Sequence, residues 1–182
     1  MSASALPRMT ADEFIAWAME QPETEHYELV AGEVVAMAPE RMTHVRTKFH
    51  LARLLANALE AKELPCEAFV EGLGIRVDDA TFFIPDILVR CGPPPAGDPL
   101  YIDDPLIVVE VLSPSSRSRD TNRKLSDYFR LPSLRHYLIV ATDIRTVIHH
   151  QRDEAGTILT RIVRDGALRL DPPGIELRDM FG

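Results

Sequence analysis

The sequence predicts a mixed α/β fold in which one central β-sheet is flanked by helices. Helical segments alternate with short strand-like runs in the order helix, hairpin, helix, strands, helix, strands. This alternation is typical of chains that pack helices on both sides of a sheet. No repeat and no linker divides the 182 residues, so we expect a single domain over residues 1–182.

The first helix is predicted by a capping box, in which Thr10 and Glu13 satisfy each other's backbone N–H groups. Apolar residues at helical spacing follow directly. Two β-rich runs, at residues 27–30 and 33–37, then flank a short turn that contains glycine. This pattern predicts a β-hairpin.

The second helix is predicted from Thr43 to Glu63, and Pro65 marks its end. Its apolar residues recur at helical spacing, so we expect them to form one face against the core. That face comprises Val45, Phe49, Ala52, Leu55, Ala56 and Leu59.

The rest of the chain is rich in short strands. The run 106–112 is apolar except for Glu110, which is typical of a strand buried on both faces. A helix at 119–129 follows it and ends before Pro132. We also expect strands at 66–70, 74–77, 82–89, 136–141 and 145–150, a Pro/Gly-rich loop at 91–105, a hairpin across 157–170 and a terminal helix or turn at 175–181.

Composition indicates a cytoplasmic protein that does not enter a membrane. No run of 18 apolar residues is present, and the first ten residues do not have the pattern of a secretory signal. Cys66 and Cys91 are isolated and form no C-x-x-C pair, so we interpret both as reduced. His149 and His150 would point to opposite faces of a strand, and we interpret them as structural.

Charge is distributed unevenly along the chain. The net charge of −8 argues against a protein that coats DNA. Residues 117–135, however, hold six basic residues against two acidic ones. A basic helix directly after a buried strand suits a polyanionic substrate, with Arg119 and Arg123 as candidate substrate-binding residues. An equally favoured interpretation is a solvated helix whose arginines pair with nearby acids.

Two carboxylates stand among apolar neighbours, Asp86 in the run 82–89 and Glu110 in the run 106–112. An ionised carboxylate in such a strand is costly unless it is paired, hydrogen-bonded or bound to a metal. If the strands lie side by side, repulsion raises at least one pKa, and a divalent cation relieves it. Oxygen ligands favour Mg²⁺, Mn²⁺ or Ca²⁺ over zinc or copper. For either acid alone, an exposed strand end or a pairing with arginine is the simpler interpretation.

The order of several motifs resembles the Uma2 family of the PD-(D/E)XK nuclease superfamily, over nearly the whole chain. The matching pieces are Tyr27-Glu-Leu-Val-Ala-Gly-Glu33, His44, Pro85-Asp-Ile-Leu-Val89, Val109-Glu-Val-Leu-Ser-Pro-Ser115, Asp120, Lys124 and Tyr128. This resemblance implies a restriction-endonuclease-like fold and metal-dependent hydrolysis of phosphodiester bonds.

The resemblance also implies a set of site residues. Asp86 and Glu110 match the metal-binding acids, and the backbone carbonyl of Val111 matches a further ligand. The superfamily places a lysine two residues after the glutamate; here that position is Leu112, and Lys124 on the next helix is the expected substitute. The roles of two auxiliary residues are left open. Glu28 is a metal ligand, a group that positions His44 or an exposed strand residue, and His44 is a phosphate contact, a proton-transfer group or a structural cap.

We therefore expect a Mg²⁺- or Mn²⁺-dependent endonuclease acting on DNA, with Asp86, Glu110 and Lys124 as its catalytic residues. A homodimer would present two basic helices and two active sites. Two alternatives stay open: a catalytically silent nucleic-acid-binding or regulatory module on the same fold, and a hydrolase of RNA or small phosphodiesters.

Overall fold

The computed structural model describes residues 7–112 and 120–182, without the side chains of residues 120–122. In chain order, the elements are α1 (Ala11–Ala18), β1 (Tyr27–Val30), β2 (Glu33–Ala36), α2 (Met42–Glu60), β3 (Cys66–Val70), β4 (Gly74–Asp78), β5 (Thr81–Phe83), β6 (Ile87–Cys91), β7 (Tyr101–Ile102), β8 (Ile107–Leu112), α3 (Asp120–Tyr128), β9 (His136–Ala141), β10 (Thr146–Arg152), β11 (Ile158–Val163), β12 (Leu168–Leu170) and β13 (Ile175–Leu177). No helix among these is long and apolar enough to cross a membrane.

The strands form two mixed sheets and a two-stranded ribbon. The six-stranded sheet has the order β11-β10-β9-β8-β6-β3, and the five-stranded sheet has the order β2-β1-β5-β4-β7. Each sheet contains one parallel pair, β8 with β9 and β4 with β7. The mixed α/β class is therefore confirmed, but strands expected in one central sheet are divided between two.

The six-stranded sheet has a hydrophobic cluster on each face. Val109 and Val111 of β8 pack with α2 and the β12–β13 ribbon. Val108 faces the opposite cluster, which includes Tyr128 of α3. Because residues alternate between faces, Glu110 points to the same side as Val108. The prediction that this strand is buried on both faces is confirmed.

Local signals at the N-terminal end worked as expected. The capping box at Thr10 and Glu13 is present, and α1 ends at Ala18. β1 and β2 form the predicted hairpin. Ala31 and Gly32 both adopt positive φ in its turn, a conformation that glycine reaches without steric cost.

Helix α2 buries only part of the predicted face: Ala52, Leu55 and Leu59 are buried as expected. Val45, Phe49 and Ala56 are exposed. The buried residues are Lys48, Leu51, Ala52, Leu55 and Leu59. Two stripes of this helix carry apolar residues, and the stripe richer in leucine packs on the sheet. Lys48 continues that leucine-rich stripe. A charged residue is therefore buried, while the apolar Val45 and Phe49, which the pattern favoured for burial, are exposed.

The predicted strand 82–89 is two strands in different sheets. β5 ends at Phe83 and belongs to the five-stranded sheet, whereas β6 begins at Ile87 in the six-stranded sheet. Pro85 lies between them and has no N–H group for a strand ladder. The break places Asp86 directly before β6, between the two sheets.

The C-terminal elements also differ from expectation. β11 pairs with β10, and β12 pairs with β13, so the predicted hairpin across 157–170 is wrong. The expected terminal helix or turn contains strand β13. The sequence of the short strands after Thr157 does not indicate which strand each one pairs with, because pairing depends on contacts with distant parts of the chain. His149 and His150 are both buried, as their structural interpretation requires.

The interpretation of both cysteines as reduced is wrong. Cys66 and Cys91 are direct partners on β3 and β6, and they form a disulfide with a Cα–Cα distance of 3.9 Å. The two cysteines have a sequence separation of 25, and only the strand register brings them together.

Candidate active site

Asp86 and Glu110 meet at one end of the six-stranded sheet. Ile87 pairs with Val109 across the antiparallel β6–β8 ladder, so the residues next to them are also neighbours. The Asp86 carboxylate is buried, and its Oδ2 accepts a hydrogen bond of 2.6 Å from the backbone N–H of Val111. The two acids that the sequence singled out are thus brought together.

In the described part of the β6–β8 ladder, the backbone carbonyl of Val111 faces no N–H donor. In an extended strand the N–H and C=O of one residue point to the same edge, and the Val111 N–H points toward Asp86. Continuing the β6–β8 register places Val111 opposite Pro85, which has no N–H to donate. The proline therefore leaves a carbonyl oxygen directed at the space beside Asp86.

Helix α3 brings Lys124 and Tyr128 to Glu110. Lys124 Nζ lies 3.1 Å from Glu110 Oε1 and 2.9 Å from Glu28 Oε1, and only 6% of the lysine is exposed. Tyr128 donates a hydrogen bond of 2.9 Å to the same Glu110 oxygen. Glu28 is held in turn by the backbone N–H of Ile84, at 3.1 Å. The helix does turn Lys124 back toward the strand, as the sequence predicted.

In this cluster, Glu110 is the carboxyl group whose pKa is raised. Burial raises the pKa of its carboxyl to about 7; Lys124 opposes the shift, and the charges of Asp86 and Glu28 add to it. Both hydrogen bonds to Glu110 use Oε1, so Oε2 has no hydrogen-bond partner among the described residues. A cation beside Oε2 would stabilise the ionised carboxylate.

A second ionic cluster lies on the other side of Asp86, and sequence reasoning missed its centre. Lys48 is 2% exposed, and its Nζ lies 2.6 Å from Glu40, 2.9 Å from Glu71 and 3.6 Å from Asp86 Oδ1. Burial alone would lower the pKa of Lys48, but hydrogen bonds to Glu40 and Glu71 and the charge of Asp86 raise it. The sequence did contain a sign of this burial, because Lys48 has helical spacing to the apolar Leu51 and Leu55 and so lies on the same helix face.

His44 joins this second cluster. Its Nε2 lies 3.2 Å from Asp86 Oδ1 and 3.4 Å from Glu40 Oε1. Burial lowers the pKa of the imidazole, but the hydrogen bond and charge of Asp86, with the charge of Glu40, raise it overall. The ligand atoms of Glu40, His44 and Asp86 all lie within 4.8 Å of one another, which makes them an alternative metal-ligand set.

The two sides of Asp86 differ as cation sites. On the Glu40 side, the ammonium group of Lys48 already contacts both carboxylates. On the Glu110 side, Lys124 Nζ lies 3.1 Å from Oε1, while Glu110 Oε2 and the Val111 carbonyl have no hydrogen-bond donor among the residues that the structure describes. The oxygen donors beside Glu110 therefore fit a hard divalent cation better.

An open cleft of about 240 Å³ lies beside Asp86 and Glu110, between the two sheets and the start of α2. Its walls include Glu28, Glu40, Arg41, His44, Asp86, Glu110, Val111 and Lys124. Arg123 is not among them; it is 46% exposed, and its Nε lies 3.5 Å from Asp127 of the same helix. Arg119 lies outside the described residues. The predicted substrate contact by Arg123 thus gains no support from the cleft.

The sequence as a whole matches one protein family. A model of the Uma2 family, described as "Putative restriction endonuclease", matches residues 11–178. The chain belongs to the Uma2 family. This confirms the resemblance found in the motifs.

Two uncharacterized Synechocystis proteins are similar to most of this Uma2 chain. One is 27% identical over 175 residues, which cover 95% of this chain and 90% of the relative. The other is 29% identical over 163 residues, which cover 87% of this chain and 90% of the relative.

A solved structure shares the fold. A crystal structure from Anabaena variabilis, described as "a putative nuclease belonging to DUF820", superposes with a TM-score of 0.74 at 18% identity. The match covers 95% of this chain and 97% of that protein. The predicted restriction-endonuclease-like fold is confirmed at this level.

Proposed function

We propose that this protein is a divalent-metal-dependent endonuclease that hydrolyses phosphodiester bonds in DNA. The observation that carries the proposal is the meeting of Asp86, Glu110 and Lys124 in one cleft, next to a backbone carbonyl freed by Pro85. Membership of a family described as restriction endonucleases supports the same activity.

In this proposal, Asp86, Glu110 and the Val111 carbonyl hold Mg²⁺ or Mn²⁺. Three oxygen donors of this kind match the preference of both ions, and burial raises the pKa of Glu110 despite the opposing charge of Lys124. A bound divalent cation would polarise the scissile phosphate and lower the pKa of a coordinated water.

The chain's own groups have separate tasks. Lys124 offers N–H donors to a phosphate oxygen on which negative charge grows. Glu28 and Glu110 fix the position of this ammonium group from two sides. Tyr128 holds the Glu110 carboxylate, while His44 and Lys48 orient Asp86.

The first experiment incubates the pure protein with plasmid DNA in Mg²⁺ or Mn²⁺, with EDTA as the metal-free control. We expect cutting by the wild type and loss of cutting in Asp86→Asn and Glu110→Gln. Glu176→Gln is the matched control, because Glu176 is an exposed residue of β13 paired with Arg178. Circular dichroism melting verifies that each variant is folded.

Full activity in folded Asp86→Asn or Glu110→Gln would reject the site. If the wild type neither cuts DNA nor binds metal in calorimetry, the nuclease proposal is rejected in favour of a catalytically silent binding module. Metal binding without cutting of DNA, followed by cutting of RNA, would move the substrate to RNA. Homodimerisation is proposed on the sequence argument alone, and a monomer in light scattering would reject it.

A further inference from the structure

Two opposite faces of helix α2 each carry four residues at positions i, i+4, i+7 and i+11. His44, Lys48, Leu51 and Leu55 form the inner face, which contacts Asp86 and the core. Met42, Arg46, Phe49 and Arg53 form the outer face, which we call the α2 ridge. The four ridge residues are exposed, and Met42 and Phe49 keep 65% and 66% of their surface in solvent.

The α2 ridge is a basic surface whose arginines have no ion-pair partner among the described residues. Residues 41–59 contain four Lys or Arg residues and no Asp or Glu, in a chain of net charge −8. Lys48 is buried and paired with Glu40. Arg41, Arg46 and Arg53 form no ion pair and no side-chain hydrogen bond with any residue in the ranges 7–112 and 123–182.

The ridge begins beside the candidate active site. Arg41, the residue directly before Met42 and the start of α2, lines the cleft. From Arg41 to Arg53 the helix advances about 18 Å at 1.5 Å per residue. That length matches roughly five nucleotides of one strand of B-DNA at 3.4 Å each.

We propose that the α2 ridge binds the phosphodiester backbone of the nucleic acid on one side of the scissile bond. This inference rests on the proposed nuclease function and adds the surface by which the substrate reaches the cleft. Arg41, Arg46 and Arg53 neutralise phosphates. Phe49 and Met42, which are costly in water, contact sugars or base faces.

A second copy of the chain is a less suitable occupant of the ridge. In a two-fold symmetric contact the same patch meets itself. Arg46 and Arg53 of one copy would then face the same arginines of the other, with no acid in residues 41–59 to pair with them. A polyanion meets no such repulsion.

The test compares the double variant Arg46→Ala/Arg53→Ala with wild type. The matched control is Arg161→Ala/Arg169→Ala, which removes two arginines of strands β11 and β12. Affinity for a fluorescent DNA duplex is measured by anisotropy in EDTA, at 50 to 200 mM KCl. Light scattering and plasmid cutting in Mg²⁺ are recorded on the same samples.

We expect the ridge variant to lose at least about tenfold in affinity at 100 mM salt. The slope of log affinity against log salt should become shallower by about 2, because two phosphate contacts release fewer counterions. The control should keep the wild-type slope. Phe49→Ala should lose about fivefold in affinity at an unchanged slope, since an aromatic ring displaces no ions.

The outcomes separate this inference from the nuclease proposal. Wild type that cuts DNA, with a ridge variant of unchanged affinity and slope, would overturn the ridge alone. A ridge variant that turns a dimer into a monomer at unchanged DNA affinity would assign the ridge to a second copy. Wild type that neither cuts nor binds nucleic acid would overturn both proposals.

Discussion

Helices α2 and α3 each bring one buried lysine to the acids of the candidate site, yet their outer surfaces differ. Lys48 of α2 contacts Glu40, Glu71 and Asp86, and Lys124 of α3 contacts Glu28 and Glu110. On α3 the exposed Arg123 pairs with Asp127 of the same helix. On α2 the exposed Arg46 and Arg53 form no ion pair with any residue that the structure describes.

This difference shows that a count of charges along the chain does not locate a binding surface. The segment 117–135 has the higher density of basic residues. Its described arginines nevertheless find acids or carbonyls: Arg123 contacts Asp127, Arg130 contacts Asp78, and Arg135 donates to Asp153. A basic residue is available to a ligand only where the fold leaves it unpaired.

The largest expected effect separates the roles of the two lysines. Lys124→Met should reduce the rate of single-turnover DNA cleavage about 100- to 1,000-fold, because it removes the donors beside Glu110. Its Mn²⁺ affinity, measured by calorimetry, should be retained. A variant that cuts at the wild-type rate would show that Lys124 is structural.

The next effect concerns stability. Lys48→Met should lower the free energy of unfolding by about 2 kcal/mol, because Asp86, Glu40 and Glu71 lose their shared cation. The estimate lies below the 3 to 5 kcal/mol typical of fully buried pairs, since Glu71 is partly exposed. Urea unfolding measures this value. A loss below about 0.5 kcal/mol would mean that the second cluster contributes as little as a surface pair.

A pH effect sharpens the contrast between the two sides of Asp86. Since the pKa of Glu110 is raised to about 7, protonation competes with metal binding as the pH falls. Mn²⁺ affinity should therefore drop about tenfold from pH 8 to pH 6. Glu110→Gln should bind more weakly and lose this dependence. An equally steep dependence in Glu110→Gln would assign the proton to another group.

The smallest effect tests the outer surface of α3. Arg123→Ala should change the free energy of unfolding by less than about 0.5 kcal/mol, because exposed pairs contribute little. DNA affinity should stay at the wild-type value when measured by anisotropy. A tenfold loss would restore Arg123 as the substrate contact that the sequence favoured.

Much of the site was predictable because its residues break local patterns. Asp86 and Glu110 are acids in apolar runs, and the resemblance to Uma2 supplied Lys124 in place of Leu112. The structure brings these residues together without any local distortion of the predicted strands, apart from the break at Pro85.

Features that depend on distant contacts were not predictable. Lys48 is buried by Glu40 and Glu71, which lie 8 residues before and 23 residues after it. The sequence of α2 contains two apolar stripes, one with Leu51 and Leu55 and one with Phe49, and it does not indicate which of them packs on the sheet. The pairing of Cys66 with Cys91 follows from strand register alone.

The most direct test of the central claim is crystallography with Mn²⁺. Crystals of the wild-type protein are soaked with the ion, and anomalous difference density locates it. The account predicts a peak bound by Asp86, Glu110 and the backbone carbonyl of Val111, which disappears in Glu110→Gln. A peak held by Glu40, His44 and Asp86 instead, or no peak in the cleft at an ion concentration that supports cleavage, would contradict it.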